Sequence, residues 1–304
     1  MRSRAFMAGW GALGISLCLC LGYVLAGCDA RPEVVVYCAQ DQGYAEVVFG
    51  EFTRESGVQV RAVFDSEAVK TVGLVNRILA ERQHPVADVY WGNEEFQTRR
   101  LAALGAFRPT NGWASFGKRS RRLVAGANRP ELARIGLSGL TNAALRGRVA
   151  MAAPWFGSTA THLTALRSEW GDTAWHEWCR ALAANHVFLE EGNSQVVKRV
   201  ARGEAWVGLT DSDDILAAQA EGSGVTAGPE LWPLRNTVAI VGGTPRGVAA
   251  EKLFEFLQST RTQELLIRLG AIEATPGVVN EPHWEDMLLN FDLTGRQLRE
   301  HFKP

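Results

Sequence analysis

From Glu33 onward the chain alternates between two hydrophobic periods, and this alternation restricts the fold more than any other feature of the sequence. Short apolar runs of strand length begin at Glu33 (EVVVYC), Val58 (VQVRAVF) and Ala87 (ADVYW). Between them lie segments with helical spacing. Gly43 to Gly57 ends in a glycine stop, and Ser66 to Gln83 carries Val69, Val72, Val75, Ile78 and Leu79 on one face. Glu94 to Leu104 closes at Gly105. The order β-α-β-α-β implies a largely parallel sheet with helices covering it.

A second block repeats the logic. Strands are expected at Gly147–Ala152, His186–Glu191 and Trp206–Thr210. Helices are expected from about Ser158, over Thr173–Asn185, over Asn193–Ala205 with Val196, Val197 and Val200 inward, and over Ser212–Glu221. A strong strand at Thr237–Gly243 precedes helices at Pro245–Gln258 and Arg261–Leu269, and the stretch after Glu281 is helical in pattern. The fold class is therefore α/β, in two units with a cleft between them.

In open α/β sheets, ligands sit beyond the carboxyl ends of the strands, at helix N-termini. That rule singles out six polar junctions: Gln40-Asp41-Gln42, Asp65-Ser66-Glu67, Trp91-Gly92-Asn93, Phe156-Gly157-Ser158-Thr159, Gly192-Asn193-Ser194 and Asp211-Ser212-Asp213-Asp214. Each also suits plain helix capping, since Ser, Thr, Asn and Asp are preferred N-caps and acids complement the helix dipole. The sharpest junction is GLTDSDD, where Asp211, Asp213 and Asp214 crowd three carboxylates at the end of an apolar run. If Asp213 and Asp214 hold a cation rather than cap a helix, changing both to Asn should spare stability and remove ligand affinity. Trp91 and Trp155 abut junctions and either line the cleft or pack beneath it.

The N-terminus is a targeting segment. MRSR supplies positive charge, Ala5 to Val24 is apolar, and Leu25-Ala26-Gly27-Cys28 follows. LAGC resembles the bacterial lipobox, in which the Cys is acylated after cleavage. Residues 1–27 thus read as a lipoprotein signal peptide, Cys28 as the lipid anchor, and Asp29 resembles an inner-membrane retention signal. The mature chain keeps Cys38 and Cys179, read as two buried thiols. The full chain has a net charge of −1, which gives no electrostatic case for nucleic acid. Catalytic motifs are missing too. Ser158 and His162 share a helix without a G-x-S-x-G elbow, and His176-Glu177 does not continue as H-E-x-x-H.

Six stretches carry a family resemblance: VVVYCAQDQGYAE, SEAVKTVGLVNRILAE, ADVYWGNEE, GRVAMAAPWFGSTATH, GNSQVVKRVARGEAWVGLTDSDD and NTVAIVGGTP. They run in order from Val34 to Pro245, and the resemblance spans the chain to about Gly277. The chain resembles the periplasmic solute-binding proteins of ABC importers, in the ferric-iron-binding and phosphonate-binding branch. The resemblance implies a two-lobed periplasmic-binding-protein (type II) fold with a hinge and an interlobe cleft. Its expected segments are the first part of lobe 1 over 28–125, lobe 2 over 126–235, and the return to lobe 1 with the C-terminal helices over 236–304. It also implies an ABC permease and its ATPase as partners, attachment to the membrane through the lipid anchor, and a place at the periplasmic face of the inner membrane or the outer face of the cell membrane. No enzyme activity and no cofactor are implied. A ligand-binding sensor subunit is the alternative.

Ferric members of the branch use two adjacent tyrosines from the second lobe and a Glu near the end of the third strand. Alignment through RGEAWVGLTDSDD places the tyrosine pair on Asp213 and Asp214, and the Glu on Asn93, beside Glu94 and Glu95. The mature chain has only Tyr37, Tyr44 and Tyr90, all in the first lobe, so it lacks the usual tyrosinate pair. Carboxylates are hard oxygen ligands for a metal and equally good partners for an amine. Ser158 and Thr159 at a helix N-terminus suit an anion. The expected ligand is iron(III) or another metal with a companion anion, or a phosphonate-like zwitterion. The expected binding set is Gln40, Asp41, Ser66, Asn93, Glu94, Ser158, Thr159, Asn193, Ser194, Asp211, Asp213 and Asp214, with Asp213 and Asp214 as candidate metal ligands.

Overall fold

Strand β1 (Glu33–Cys38) is buried from Val34 to Cys38. That matches its unbroken apolar run, because a strand covered on both faces has no solvent side to make polar. In this computed structural model the described residues are 32–65, 70–274 and 281–303. Ser66, Glu67, Val69, the signal peptide and Cys28 lie outside them. From Glu33 the chain is one compact unit.

Helix α1 (Gln42–Ser56) turns Ala45, Val48, Phe49 and Phe52 inward and ends at Gly57, whose φ of 70° is left-handed. The Gly57 N–H closes the helix on Thr53 O at 3.0 Å. Strand β2 (Gln59–Phe64), helix α2 (Lys70–Ala80), strand β3 (Val89–Gly92) and helix α3 (Glu95–Ala103) complete a parallel β2-β1-β3 unit.

Strand β4 (Trp113–Gly126) then leaves this unit and enters a second one. The second unit contains β5 (Val149–Ala152), α4 (Gly157–Trp170), α5 (Asp172–Ala184), β6 (Phe188–Glu190), α6 (Asn193–Ala201), β7 (Val207–Asp211) and α7 (Ser212–Ala220). Val196, Val197 and Val200 of α6 face its core, as their spacing predicts. Strand β8 (Val225–Ile240) crosses back, followed by α8 (Gly247–Gln258), α9 (Thr260–Arg268) and α10 (Trp284–His301).

The strands form one sheet in the order β2-β1-β3-β8-β4-β7-β5-β6. Pairing is parallel within each unit, but β3 to β8, β8 to β4 and β4 to β7 are antiparallel. The expectation of a largely parallel sheet therefore fails at the centre, where two long strands run in opposite directions between the units. β4 pairs with β7 only over Arg121–Ala125, and β8 pairs with β3 only over Thr237–Ile240. The stretch between is held by β4 and β8 alone; the β4–β8 register shifts within it at Phe116/Lys118, and beside β7 at Arg121/Arg122 and Arg122/Val124. Irregularities of this kind bend a two-stranded ribbon and make it the natural hinge of the two-lobed fold. Gly117 supplies the first bulge with a φ of 62°, and a Cβ there would lie 2.7 Å from Ile272 Cδ1.

Each unit has its own core. Phe49, Phe52, Trp91, Leu253 and Leu257 centre the first; Leu163, Trp175, Cys179, Leu182 and Leu209 centre the second. Trp91 is fully buried against Phe49, so it packs beneath the cleft. The final helix spans both units. Met287 packs with Phe96 and Trp232, while Leu298 and Phe302 join the second core. Cys38 and Cys179 are both buried.

Candidate functional site

Five of the six polar junctions contribute to one cleft between the units. Its lining includes Asp41 and Asn93 from the first unit, and Gly157, Ser158, Thr159, Asn193, Asp211, Asp213 and Asp214 from the second. The sixth junction falls largely outside the described residues. The cleft holds about 70 Å³, room for a few waters or a small solute rather than a drug-sized ligand.

The residue that organises the cleft is Arg119, which belongs to no junction. It projects from β4, the strand that crosses between units, and is 5% exposed. Its Nη1 donates to Asp211 Oδ2 at 2.9 Å and to both Asp213 oxygens at 3.1 and 2.9 Å. Its Nη2 donates to the carbonyl of Asn93 at 3.0 Å, tying the first unit to the second. Arg121, two residues on and on the same strand face, is fully buried. It donates to Asp211 Oδ1, Asn193 Oδ1, Ser158 Oγ and Thr159 Oγ1. Ser158 Oγ donates in turn to Asp211 Oδ2 at 2.8 Å, and Asn193 Nδ2 reaches the same oxygen at 3.2 Å.

Asp211 therefore makes no capping bond for α7, although it stands at the N-cap. It is the anionic hub of a buried network. Burial opposes its ionisation, but Arg121 and Arg119 outweigh burial and hold its carboxyl below the ordinary range. Asp213 is pushed up to about 6 by burial, against the pull of Arg119. Asp214 is half-buried and has no hydrogen bond or ion pair among the described residues. Burial and repulsion from Asp213 and Asp211 push its carboxyl well above the ordinary range. Asp213 and Asp214 are thus not equivalent: one is paired with a buried guanidinium and the other makes no ion pair among the described residues. Changing both to Asn cannot be expected to spare stability, because Asp213 helps neutralise Arg119.

The other expected residues divide. Glu94 is buried and caps α3, accepting from Phe96 N at 2.8 Å and Gln97 N at 3.1 Å. Burial raises its carboxyl to about 7, against those two backbone donors. Gln40 braces the loop after β1 by donating to Gly92 O at 3.1 Å. Neither Gln40, Glu94 nor Ser194 is among the lining residues, whereas Ala152, Phe156, Glu191 and Gly192 are. Tyr44 lies near the acids, and burial followed by Asp213 raises its phenol to about 12, so it remains protonated. His162 is buried, stacks on Trp232 at 5.8 Å, and neither ring nitrogen has a partner among the described residues, Ser158 included.

The first turns of α4 and α6 complete the site. Their first intrahelical bonds are Ala160 N to Phe156 O and Val196 N to Gly192 O. The N–H groups of Gly157, Ser158 and Thr159, and of Asn193, precede those bonds and so have no partner within their helices. The cleft is thus lined both by a pair of helix N-termini and by acidic side chains.

A family model described as bacterial extracellular solute-binding protein matches residues 34–271. The chain belongs to that family. Such solute-binding proteins bind small ligands extracellularly and work with an ABC permease and ATPase, and no described helix is long and apolar enough to cross a membrane. Solved structures share the two-lobed fold at low identity. Iron-bound HitA from Pseudomonas aeruginosa matches with a TM-score of 0.75 at 16% identity, over 88% of this chain and 99% of that one. AfuA from Actinobacillus pleuropneumoniae, with exogenous fructose-6-phosphate bound, matches with a TM-score of 0.77 at 17% identity, over 90% and 99%. Trichodesmium IdiA (FutA), in complex with iron and citrate, matches with a TM-score of 0.69 at 17% identity, over 89% and 99%. No curated protein matches the sequence.

Arg119 and Arg121 were missing from the sequence-based site. Their only signal is alternation within KRSRR, which places residues 119 and 121 on one face of a strand and residues 118, 120 and 122 on the other.

Proposed function

We propose that this solute-binding protein captures a small zwitterionic solute, of the aminophosphonate kind, and delivers it to an ABC permease while tethered to the membrane through lipidated Cys28. The carrying observation is Asp214. It is a half-buried carboxyl in the cleft wall with no hydrogen bond or ion pair among the described residues, in a cleft that the first turns of α4 and α6 also line. Isolated charge in a partly dry cleft favours a cationic partner, because charge-assisted hydrogen bonds are the stronger ones. The N–H groups of Gly157–Thr159 and Asn193 favour an anionic group on the same solute. The small cleft volume sets the size class.

A second reading is a metal ion with a companion anion. It is favoured by one oxygen each of Asp211, Asp213 and Asp214 lying within 4.8 Å of one another. It also fits relatives whose structures hold iron, alone or with citrate. Native mass spectrometry of protein purified without refolding, followed by a thermal-shift screen of aminophosphonates, other zwitterions and metal salts, separates the two. A solute at 100 times its Kd stabilises the fold by about 2.7 kcal/mol. A shift with zwitterions supports the first reading. A shift with metals alone replaces it with the second.

A further inference from the structure

The three carboxylates of GLTDSDD are spaced as a hard cation would need them, but a cation is already built in among them. Arg119 Nη1 lies 2.9 Å from Asp211 and 2.9 and 3.1 Å from the two oxygens of Asp213. Arg121 takes the remaining oxygen of Asp211. Every oxygen of Asp211 and Asp213 is therefore engaged by a guanidinium, whereas Asp214 makes no such contact among the described residues. A guanidinium does not lose its proton in a protein, so it cannot step aside by neutralising. The Asn93 carbonyl at 3.0 Å and near-complete burial fix the Arg119 head in place. A metal bridging the three acids would have to sit beside that fixed positive charge in a partly desolvated cleft.

We propose that Arg119 is the selectivity residue of the cleft: an internal cation that excludes metal ions from the carboxylate cluster and leaves Asp214 to read the cationic group of an organic solute. This deepens the zwitterion reading and rests on it. A separate observation points the same way. The Nε–H of Arg119 is buried and has no partner among the described residues, so this cleft-lining side chain retains one donor that an anionic group, and no metal, can use.

The test titrates Mn²⁺, Ca²⁺ and ferric citrate into the wild type, Arg119→Met, Arg119→Lys, and Arg119→Met combined with Asp213→Asn, using calorimetry and thermal shift. Met keeps the length and removes the charge. The wild type should show no saturable one-site metal binding. Arg119→Met should gain it, with an affinity at least about tenfold above any residual wild-type binding, and Asp213→Asn in that background should remove the gain. Arg119→Lys, which keeps a cation, should still refuse metal. Stoichiometric metal binding by the wild type overturns the proposal, whether or not any variant folds. So does a folded Arg119→Met that gains nothing. Failure of the zwitterion reading looks different: the wild type would bind neither metal nor zwitterion while Arg119→Met still gained metal. That result would keep Arg119 as the excluding residue and send the search for the solute elsewhere.

Discussion

Replacing Asp211 with Asn tests whether the cleft is organised by a buried charge network or by helix caps. Asp211 is 1% exposed, and its two oxygens accept from Arg119, Arg121, Ser158 and Asn193. Asn keeps the shape and one acceptor, but it removes the charge and turns an N–H₂ towards guanidinium donors. Arg121 would then lose the carboxylate it pairs with, and Arg119 would keep Asp213 alone. Breaking a buried pair by removing one partner costs about 3–5 kcal/mol. At about 2–4 °C per kcal/mol for a chain of this size class, Tm should fall by about 6–20 °C. The assay is thermal unfolding followed by circular dichroism at pH 7.5, with urea unfolding as a check that the m-value is unchanged. A cap-only role predicts almost no change, since Asn caps about as well as Asp. A Tm within about 2 °C of wild type, equivalent to 1 kcal/mol or less, would refute the hub.

Asp214→Asn should behave in the opposite way. Melting temperature should hold or rise slightly, because a carboxyl whose ionisation burial and its acidic neighbours oppose is removed, while zwitterion affinity measured by calorimetry falls about ten- to hundredfold, the loss of one charge-assisted contact. The ligand-free protein should melt higher at pH 5 than at pH 8. Asp213 and Glu94 have folded values raised to about 6 and about 7, so the folded state binds more protons than the unfolded state in that window and stability falls as pH rises. Asp211 and Glu273 work the other way only at lower pH, since their depressed folded values withdraw stability as pH drops through them. A flat melting profile from pH 5 to 8 would remove this account. Cation capture requires ionised Asp214, so affinity should weaken on acidification, and unchanged affinity at pH 5 would argue that Asp214 is not the contact. Cys28→Ala should block lipidation and leave the precursor uncleaved by the lipoprotein peptidase; a mature, lipid-modified product from that variant would disprove the anchor.

The period of the apolar residues was enough to place nearly every helix and the short strands, because those elements bury one clear face or a continuous run. Val196, Val197 and Val200 on α6, and Val34 to Cys38 on β1, are buried as their spacing requires. The polar strand-to-helix junctions were legible for the same reason: a parallel unit must place them at one edge of its sheet. What the sequence concealed was β4 and most of β8, of which only the end was expected, as the strand at Thr237–Gly243. β4 carries Lys118, Arg119, Arg121 and Arg122, and β8 carries Gly228, Pro229 and Pro233, so neither reads as the centre of a sheet. Their strand character comes from each other, through pairing from Trp113↔Ala239 to Gly126↔Val225, partners that lie 126 to 99 residues apart in the chain.

The meaning of GLTDSDD was likewise set by that distant pairing. Sequence determined that three carboxylates would stand at the head of α7, because the end of an apolar strand and the start of a helix are local events. Only the tertiary structure decided what they would face. β4 alternates its side chains across the sheet, so Arg119 and Arg121 enter the cleft from a strand about ninety residues earlier in the chain and neutralise Asp211 and Asp213. Asp214 lies one residue beyond their hydrogen bonds, and burial and its acidic neighbours push its carboxyl well above the ordinary range. Local pattern fixes where charges stand along the chain, whereas the burial and the partner of each charge depend on which strands cross, and those are properties of the whole sheet.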